Sequence, residues 1–209
     1  MSKVSPPVRI AIVAVGAVVA LLAISQLVVP TWAERRIEDR LTEGGGTAEA
    51  SVEAFPAAML VAGEGDSIEI TGSELDLDVD PEEKVFDRLD GFDTVDIALT
   101  DFRAGPFDVD AFALTRDGSG TYSMRSELTT TGSALLQYGA ERLGVPGSSL
   151  LPLITGDSEE ANTPIPVDLD MELESDDGRI IVTGGTGEVA GYPAGPLAEL
   201  ITSAIVVQI

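Results

Sequence analysis

Three aspartates at alternate positions, Asp76, Asp78 and Asp80, have the spacing of the first ligands of a calcium loop, where carboxylates two apart converge on one hard cation. Pro81 stands where such a loop needs glycine for its turn, and Asp87 replaces the bidentate glutamate at its end. The same aspartates alternate with Leu75, Leu77 and Val79, so the solvent face of a strand accounts for them without a metal. Gly65-Asp66-Ser67 and Gly156-Asp157-Ser158 match the Gly-Asp-Ser start of a serine esterase class. That chemistry needs a histidine base, and the chain has no histidine and no cysteine. Structural zinc sites, thiol nucleophiles and Ser-His-Asp triads are thereby excluded, and turns and loop caps account for both tripeptides. A hydrolase would have to use two of the 36 acidic residues, as glycosidases do, and nothing in the sequence selects a pair. Aromatic residues make up 5% of the chain and Trp32 is its one tryptophan, so no sugar-stacking cleft is suggested. The expectation is a chain with no catalytic residues, no metal and no cofactor.

The strongest pattern is hydrophobic. Residues 10–29, IAIVAVGAVVALLAISQLVV, carry no charge, and every acidic residue follows them. At about 1.5 Å per residue, about twenty apolar residues span a hydrocarbon core of about 30 Å. Lys3 and Arg9 precede the segment, and Thr31-Trp32-Ala33 offers a weak cleavage site, so a cleaved secretory signal competes with a membrane anchor. The anchor is preferred because the run exceeds the usual signal core of about 7 to 15 residues. Arg35, Arg36 and Arg40 outnumber Lys3 and Arg9, which by a strict positive-inside count would keep the domain in the cytoplasm. Glu34, Glu38 and Asp39 accompany those arginines, and a short basic tail before an N-terminal apolar segment initiates export. The division expected is a cytoplasmic tail over 1–9, a transmembrane anchor over 10–29 and an exported acidic domain over 30–209. The protein would then sit in the cell membrane as a single-pass protein, its C-terminal domain extracytoplasmic and Trp32 at the interface.

About 180 residues suffice for one domain with a sizeable core. A formal net charge of −24 repels nucleic acid and a strongly anionic lipid surface, and it equally suits solubility or high salt with no partner implied.

WAERRIEDRL places Ile37 and Leu41 on one side of a helix that Gly44-Gly45-Gly46 ends. AEASVEAF reads as a strand closed by Phe55-Pro56, and AAMLVAG as a short apolar helix or turn ending at Gly63, with Met59, Leu60 and Val61 forming a bare apolar patch. In SIEITGSELDLDVD, Ile68 and Ile70 share a face with Leu75, Leu77 and Val79 only after a slip of one residue, which a β-bulge near Gly72 and Ser73 would supply. PEEKVFDRL is a helical turn starting at Pro81, and TVDIALTDF is a strand. Two hairpins turn at Asp117-Gly118 and Asp177-Gly178; in the second, Val167, Leu169, Met171 and Leu173 alternate with Asp168, Asp170, Glu172 and Glu174. Between the hairpins, Thr131-Gly132-Ser133 caps a helix striped by Leu135, Leu136, Tyr138, Gly139 and Leu143, and PLAELITSAIVVQI reads as a buried helix leading to a terminal strand. The fold class expected is α+β, a long curved antiparallel sheet or open barrel packed on a few helices.

The order of these parts carries a resemblance. A membrane segment, the helix AERRIEDRL, a strand ending in Phe55-Pro56, an apolar turn closed by Gly63, a long strand, a middle strand pair leading to a Leu-rich helix and a late hairpin around Asp176-Asp177-Gly178 together resemble the LmeA-like family of bacterial phospholipid-binding envelope proteins. The likeness of order covers nearly the whole chain. Ala57 and Ala58 depart from it, since members commonly carry a bulky residue just after Phe-Pro. The resemblance implies an exported sheet that curls around apolar residues and helices to shelter phospholipid acyl chains; in such a non-enzymatic protein the apolar contacts expected are Phe55, Met59, Leu60, Phe102, Phe107 and Leu135, which sit at strand ends or on helix stripes where a mouth could open. Two other readings stand beside it: an acidic extracytoplasmic interaction or structural domain without a lipid cavity, and a carboxylate-based hydrolase.

Overall fold

A computed structural model describes residues 26, 28–77, 84–118, 120–134, 162–189, 192–193, 202 and 205–206. Helix α1 covers residues 28–41. Strands β1 (Thr47–Glu53), β2 (Gly65–Ser73), β3 (Asp76–Leu77), β4 (Phe92–Ala104), β5 (Phe107–Asp117), β6 (Thr121–Thr131), β7 (Pro164–Asp176) and β8 (Arg179–Thr186) form one eight-stranded sheet. Its order is β1-β2-β4-β5-β6-β7-β8, with β3 also on β4. The sheet is open, since β1 and β8 end the order without pairing to each other. A small second ribbon pairs β9 (Glu188–Val189) with β10 (Tyr192–Pro193). Two short 3-10 helices, η1 (Ala57–Ala62) and η2 (Val85–Arg88), lie in the connections.

The α+β class holds, with one departure from an all-antiparallel sheet. β2 and β3 both pair with β4 in parallel. A parallel neighbour needs a crossover of about a dozen residues or more, and residues 78–91 provide it. The two hairpins turn where expected, at Asp117-Gly118 and Asp177-Gly178, with Gly118, Asp177 and Gly178 all at positive φ. Helix α1 ends ahead of Gly44, Thr131 Oγ1 caps the following helical turn by accepting from the Ala134 amide at 3.1 Å, and Thr202, Ile205 and Val206 are helical and buried. The proposed terminal strand and the rest of the Leu-rich helix lie outside the described residues. So does nearly all of 10–29; among the described residues no helix is long and apolar enough to cross a membrane.

One face of the sheet is the core. Ile68, Ile70, Val95, Ile97, Leu99, Phe112, Leu114, Met124, Val167, Leu169, Met171 and Leu173 are buried on it, while the residues between them are mostly polar and exposed. The phase slip expected in the second strand is present, and it is wider than one strand. Glu74, not Gly72 or Ser73, takes the extra step, at φ 57°, and divides β2 from β3. Its neighbour Asp101 in β4 does the same at φ 50°, so the pairing register is identical on either side, Ser73 opposite Thr100 and Asp76 opposite Arg103. In β5 the slip falls between Val109 and Ala111, beside Asp101. Three adjacent strands thus change phase along one line. That keeps Leu75, Leu77, Phe102, Ala104, Phe107 and Val109 on the buried face with Ile70, Leu99 and Phe112.

Helix α1 closes the β1 edge. The Ala50 amide donates to Glu38 Oε1 at 3.1 Å and the Val52 amide to Glu34 Oε1 at 3.2 Å. Two glutamates one helical turn apart therefore meet two edge amides two residues apart, because four helical residues and two strand residues both advance about 6 Å. An edge strand left with free amides would be a template for pairing with another chain. Ile37 and Leu41, on the same side of the helix, complete the core.

Candidate functional site

Three parts of the molecule carry side chains whose placement goes beyond filling a core. The first is the loop between β1 and β2. It contains no charge from Ala54 to Gly63. Phe55 is 80% exposed and Val61 76% exposed, Met59 is half-buried, and Leu60 packs its inner side on the core. Three backbone bonds close within the loop: Met59 N–H donates to the Pro56 carbonyl at 3.0 Å, Gly63 N–H to Leu60 at 3.1 Å and Glu64 N–H to Met59 at 3.1 Å. Gly63, at φ 77°, is the left-handed residue that ends the turn. Behind it Gly65 N–H bonds to the Gly91 carbonyl at 2.9 Å, and a Cβ on Gly91 would lie 1.9 Å from the Gly63 oxygen, so the loop rests directly on the start of β4.

The second part is a segment that crosses the end of the apolar face. Residues 84–92 run from β4 toward the β7–β8 turn, with Phe86 and Leu89 fully buried. Phe86 stacks on Tyr122 of β6, ring centroids 4.1 Å apart, and its N–H donates to the Gly178 carbonyl at 2.9 Å. Lys84 Nζ lies 2.6 Å from Asp177. This contact raises the Lys84 pKa and lowers that of Asp177, through the hydrogen bond first in each case.

Arg116 of β5, 8% exposed on the buried face, holds the segment from beneath. Its guanidinium donates to Tyr122 Oη at 2.7 Å, Asp90 Oδ1 at 3.3 Å and the Leu89 carbonyl at 3.0 Å, and also to the carbonyls of Asp90 and Phe92. Tyr122 Oη donates to Asp90 Oδ1 at 2.9 Å and Ser175 Oγ to Asp90 Oδ2. Burial pushes the Tyr122 phenol far above its ordinary range; Arg116 opposes the rise and Asp90 adds to it. These side chains bond to one another and to the backbone, which fixes the segment against the sheet.

The third part is the exposed cleft around the phase slip, lined by Glu74, Asp76, Asp101, Arg103, Asp108 and Asp110. Arg103 pairs with Asp108 at 3.4 Å and approaches Asp76 at 4.0 Å. Among the described residues no group of three or more acidic side chains is arranged to hold a metal ion, and Asp78 and Asp80 of the calcium-loop spacing lie outside them.

The residues expected to touch lipid do not gather at one mouth. Phe55, Met59 and Leu60 lie at the end of the sheet where β4 starts. Phe102 and Phe107, buried at 4% and 1% exposure, lie about ten residues and about 33 Å along the strands at the other end. Phe102 meets Phe112 edge-to-face at 6.5 Å, an ordinary core contact. Leu135 lies outside the described residues. Sequence reasoning missed Arg116, although a signal was present: Phe112, Leu114 and Arg116 share one parity, which puts an arginine on the apolar face. No family model matches the chain, and neither does any curated protein or solved structure.

Proposed function

We propose that this is a non-enzymatic, membrane-tethered protein of the bacterial cell envelope, of the LmeA-like kind, that shelters the acyl chains of a phospholipid against the apolar face of a curved sheet. The observation that carries the reading is the one-sidedness of the sheet. Strands of up to 13 residues present a mainly apolar face, interrupted by Ser126 and Thr130 of β6, whose buried side chains among the described residues include a single ionised group, Arg116, sequestered at one end. Acyl methylenes entering such an environment gain about 0.8 kcal/mol each. Phe102, Phe107 and, outside the described residues, Leu135 are the contacts proposed within the interior; Phe55, Met59 and Leu60 are those proposed at the tethered end.

An uptake assay tests this. The protein is incubated with vesicles carrying a fluorescent phospholipid and re-isolated, and stoichiometric label is expected; none at saturating vesicle concentration overturns the reading. The acidic interaction domain stands second, on the exposed row Asp168, Asp170, Glu172 and Glu174 of β7. It calls for salt-sensitive binding of a basic protein by a lipid-free chain.

A further inference from the structure

We infer that the loop Phe55–Val61 is a bilayer-docking element, which dips its apolar side chains into the membrane interface beside the anchor and so sets the standing orientation of the whole domain. The inference rests on the reading of residues 10–29 as a membrane anchor.

Geometry joins loop and anchor. The bonds from Ala50 to Glu38 and from Val52 to Glu34 make α1 antiparallel to β1. Going back along the helix from Glu34 is therefore going forward along the strand from Val52. Six helical residues advance about 9 Å and three strand residues about 10 Å, so Val28 comes level with Phe55. The apolar run 10–29 leads straight into this helix. The end of the sheet that faces the bilayer is then the end that carries η1.

Chemistry agrees with position. Phe55 and Val61 are the two most exposed large apolar side chains among the described residues, and Val28 and Trp32, each 59% exposed, follow on the adjoining helix. Phe55, Val61 and Trp32 leave large apolar side chains in water at the end where Val28 enters the anchor, as an interaction surface does. A lipid surface suits this patch because residues 54–63 hold no charge, so burial at the interface strands no ionised group, and three amide bonds, from Met59, Gly63 and Glu64, close on the loop itself. Arg36 lies over the Trp32 ring at 5.5 Å, and with Arg35 it sets two cations about 11 Å along α1 from Val28, within reach of lipid phosphates.

The absence of native cysteine makes the test direct. The full chain is reconstituted into vesicles of phosphatidylcholine and phosphatidylglycerol. Each of three single variants, Phe55→Cys, Val61→Cys and Glu43→Cys, carries an environment-sensitive dye, and quenching by phospholipids with a nitroxide near the headgroup is recorded. Glu43 is exposed and lies past the far end of α1. Blue-shifted, quenched emission at 55 and 61 with an unshifted, unquenched signal at 43 is the expected result. If the protein floats with the vesicles after carbonate extraction yet 55 and 61 stay unquenched, docking is overturned and the anchor reading survives. Equal quenching at all three positions also overturns it. A chain that carbonate strips from the vesicles sinks the anchor reading and the docking with it.

Discussion

Arg116 and Tyr122 show how much of this fold depends on a few polar side chains within an apolar face. Removing the guanidinium would strip the Asp90 carboxylate of its counter-charge and take one donor from each of three backbone carbonyls at the end of the core, although Asp90 would keep Tyr122 and Ser175 and Leu89 the Phe92 amide. Arg116→Met is therefore expected to destabilise the protein by about 3 kcal/mol or more, measured by urea unfolding. Tyr122 gives a pH signature. Its folded pKa lies above the ordinary tyrosine value of about 10, so the unfolded chain gives up the phenolic proton first, and stability falls as pH rises past about 10. In an absorbance titration of the three tyrosines, Tyr122 should ionise only as the fold opens, and Tyr122→Phe should remove that late phase. Early ionisation of all three with the fold intact would contradict the account. The Lys84–Asp177 pair has both signs at once. Its contribution is present between the two unfolded pKa values, fading in acid as Asp177 protonates and in alkali as Lys84 loses its proton. Both side chains are exposed, Lys84 at 43% and Asp177 at 83%, so little stability rides on the pair.

At the scale of elements, edges and crossings decide the architecture. Glu34 and Glu38 hold α1 to β1 through two backbone amides, and each bond is worth about 1 kcal/mol. The double variant Glu34→Ala/Glu38→Ala should raise hydrogen exchange at Ala50 and Val52 selectively, with the β5–β6 hairpin amides unchanged. Gly91→Ala should cost about 1 to 3 kcal/mol, because the new methyl meets a backbone oxygen that has no side-chain freedom to move. The alternating strands, both hairpin turns and the glycine-ended apolar turn were legible in the sequence, since each is a local pattern. The slip in the second strand was legible as well, from the change of parity between Ile70 and Leu75, but its site was not: glycine suggested Gly72, whereas Glu74 takes the positive φ. The parallel pairing of β2 with β4 left no trace in the sequence. Two strands separated by a polar crossover look alike whether they pair directly or through a third, and the contacts that settle it, such as Phe86 on Tyr122, join residues far apart in the chain.

For the whole molecule, the candidate site was legible only in part. The bare apolar patch at Met59, Leu60 and Val61 could be read from composition, and the fold leaves Val61 and Phe55 in solvent. That Phe102 and Phe107 belong to the opposite end could not, because it depends on strand direction across the sheet. The molecule is an open sheet with one mainly apolar face, crossed at one end by the pinned segment 84–92 and flanked on its β1 edge by α1. The proposal for it is that phospholipid belongs on that face. The most direct measurement is native mass spectrometry, paired with solvent extraction, on a chain beginning at Trp32 and purified without detergent, which retains Glu34 and Glu38, bonded to β1, and Ile37 and Leu41, packed in the core. A stoichiometric copurifying phospholipid is the predicted result; a bare protein mass that stays bare after incubation with phospholipid would contradict the claim.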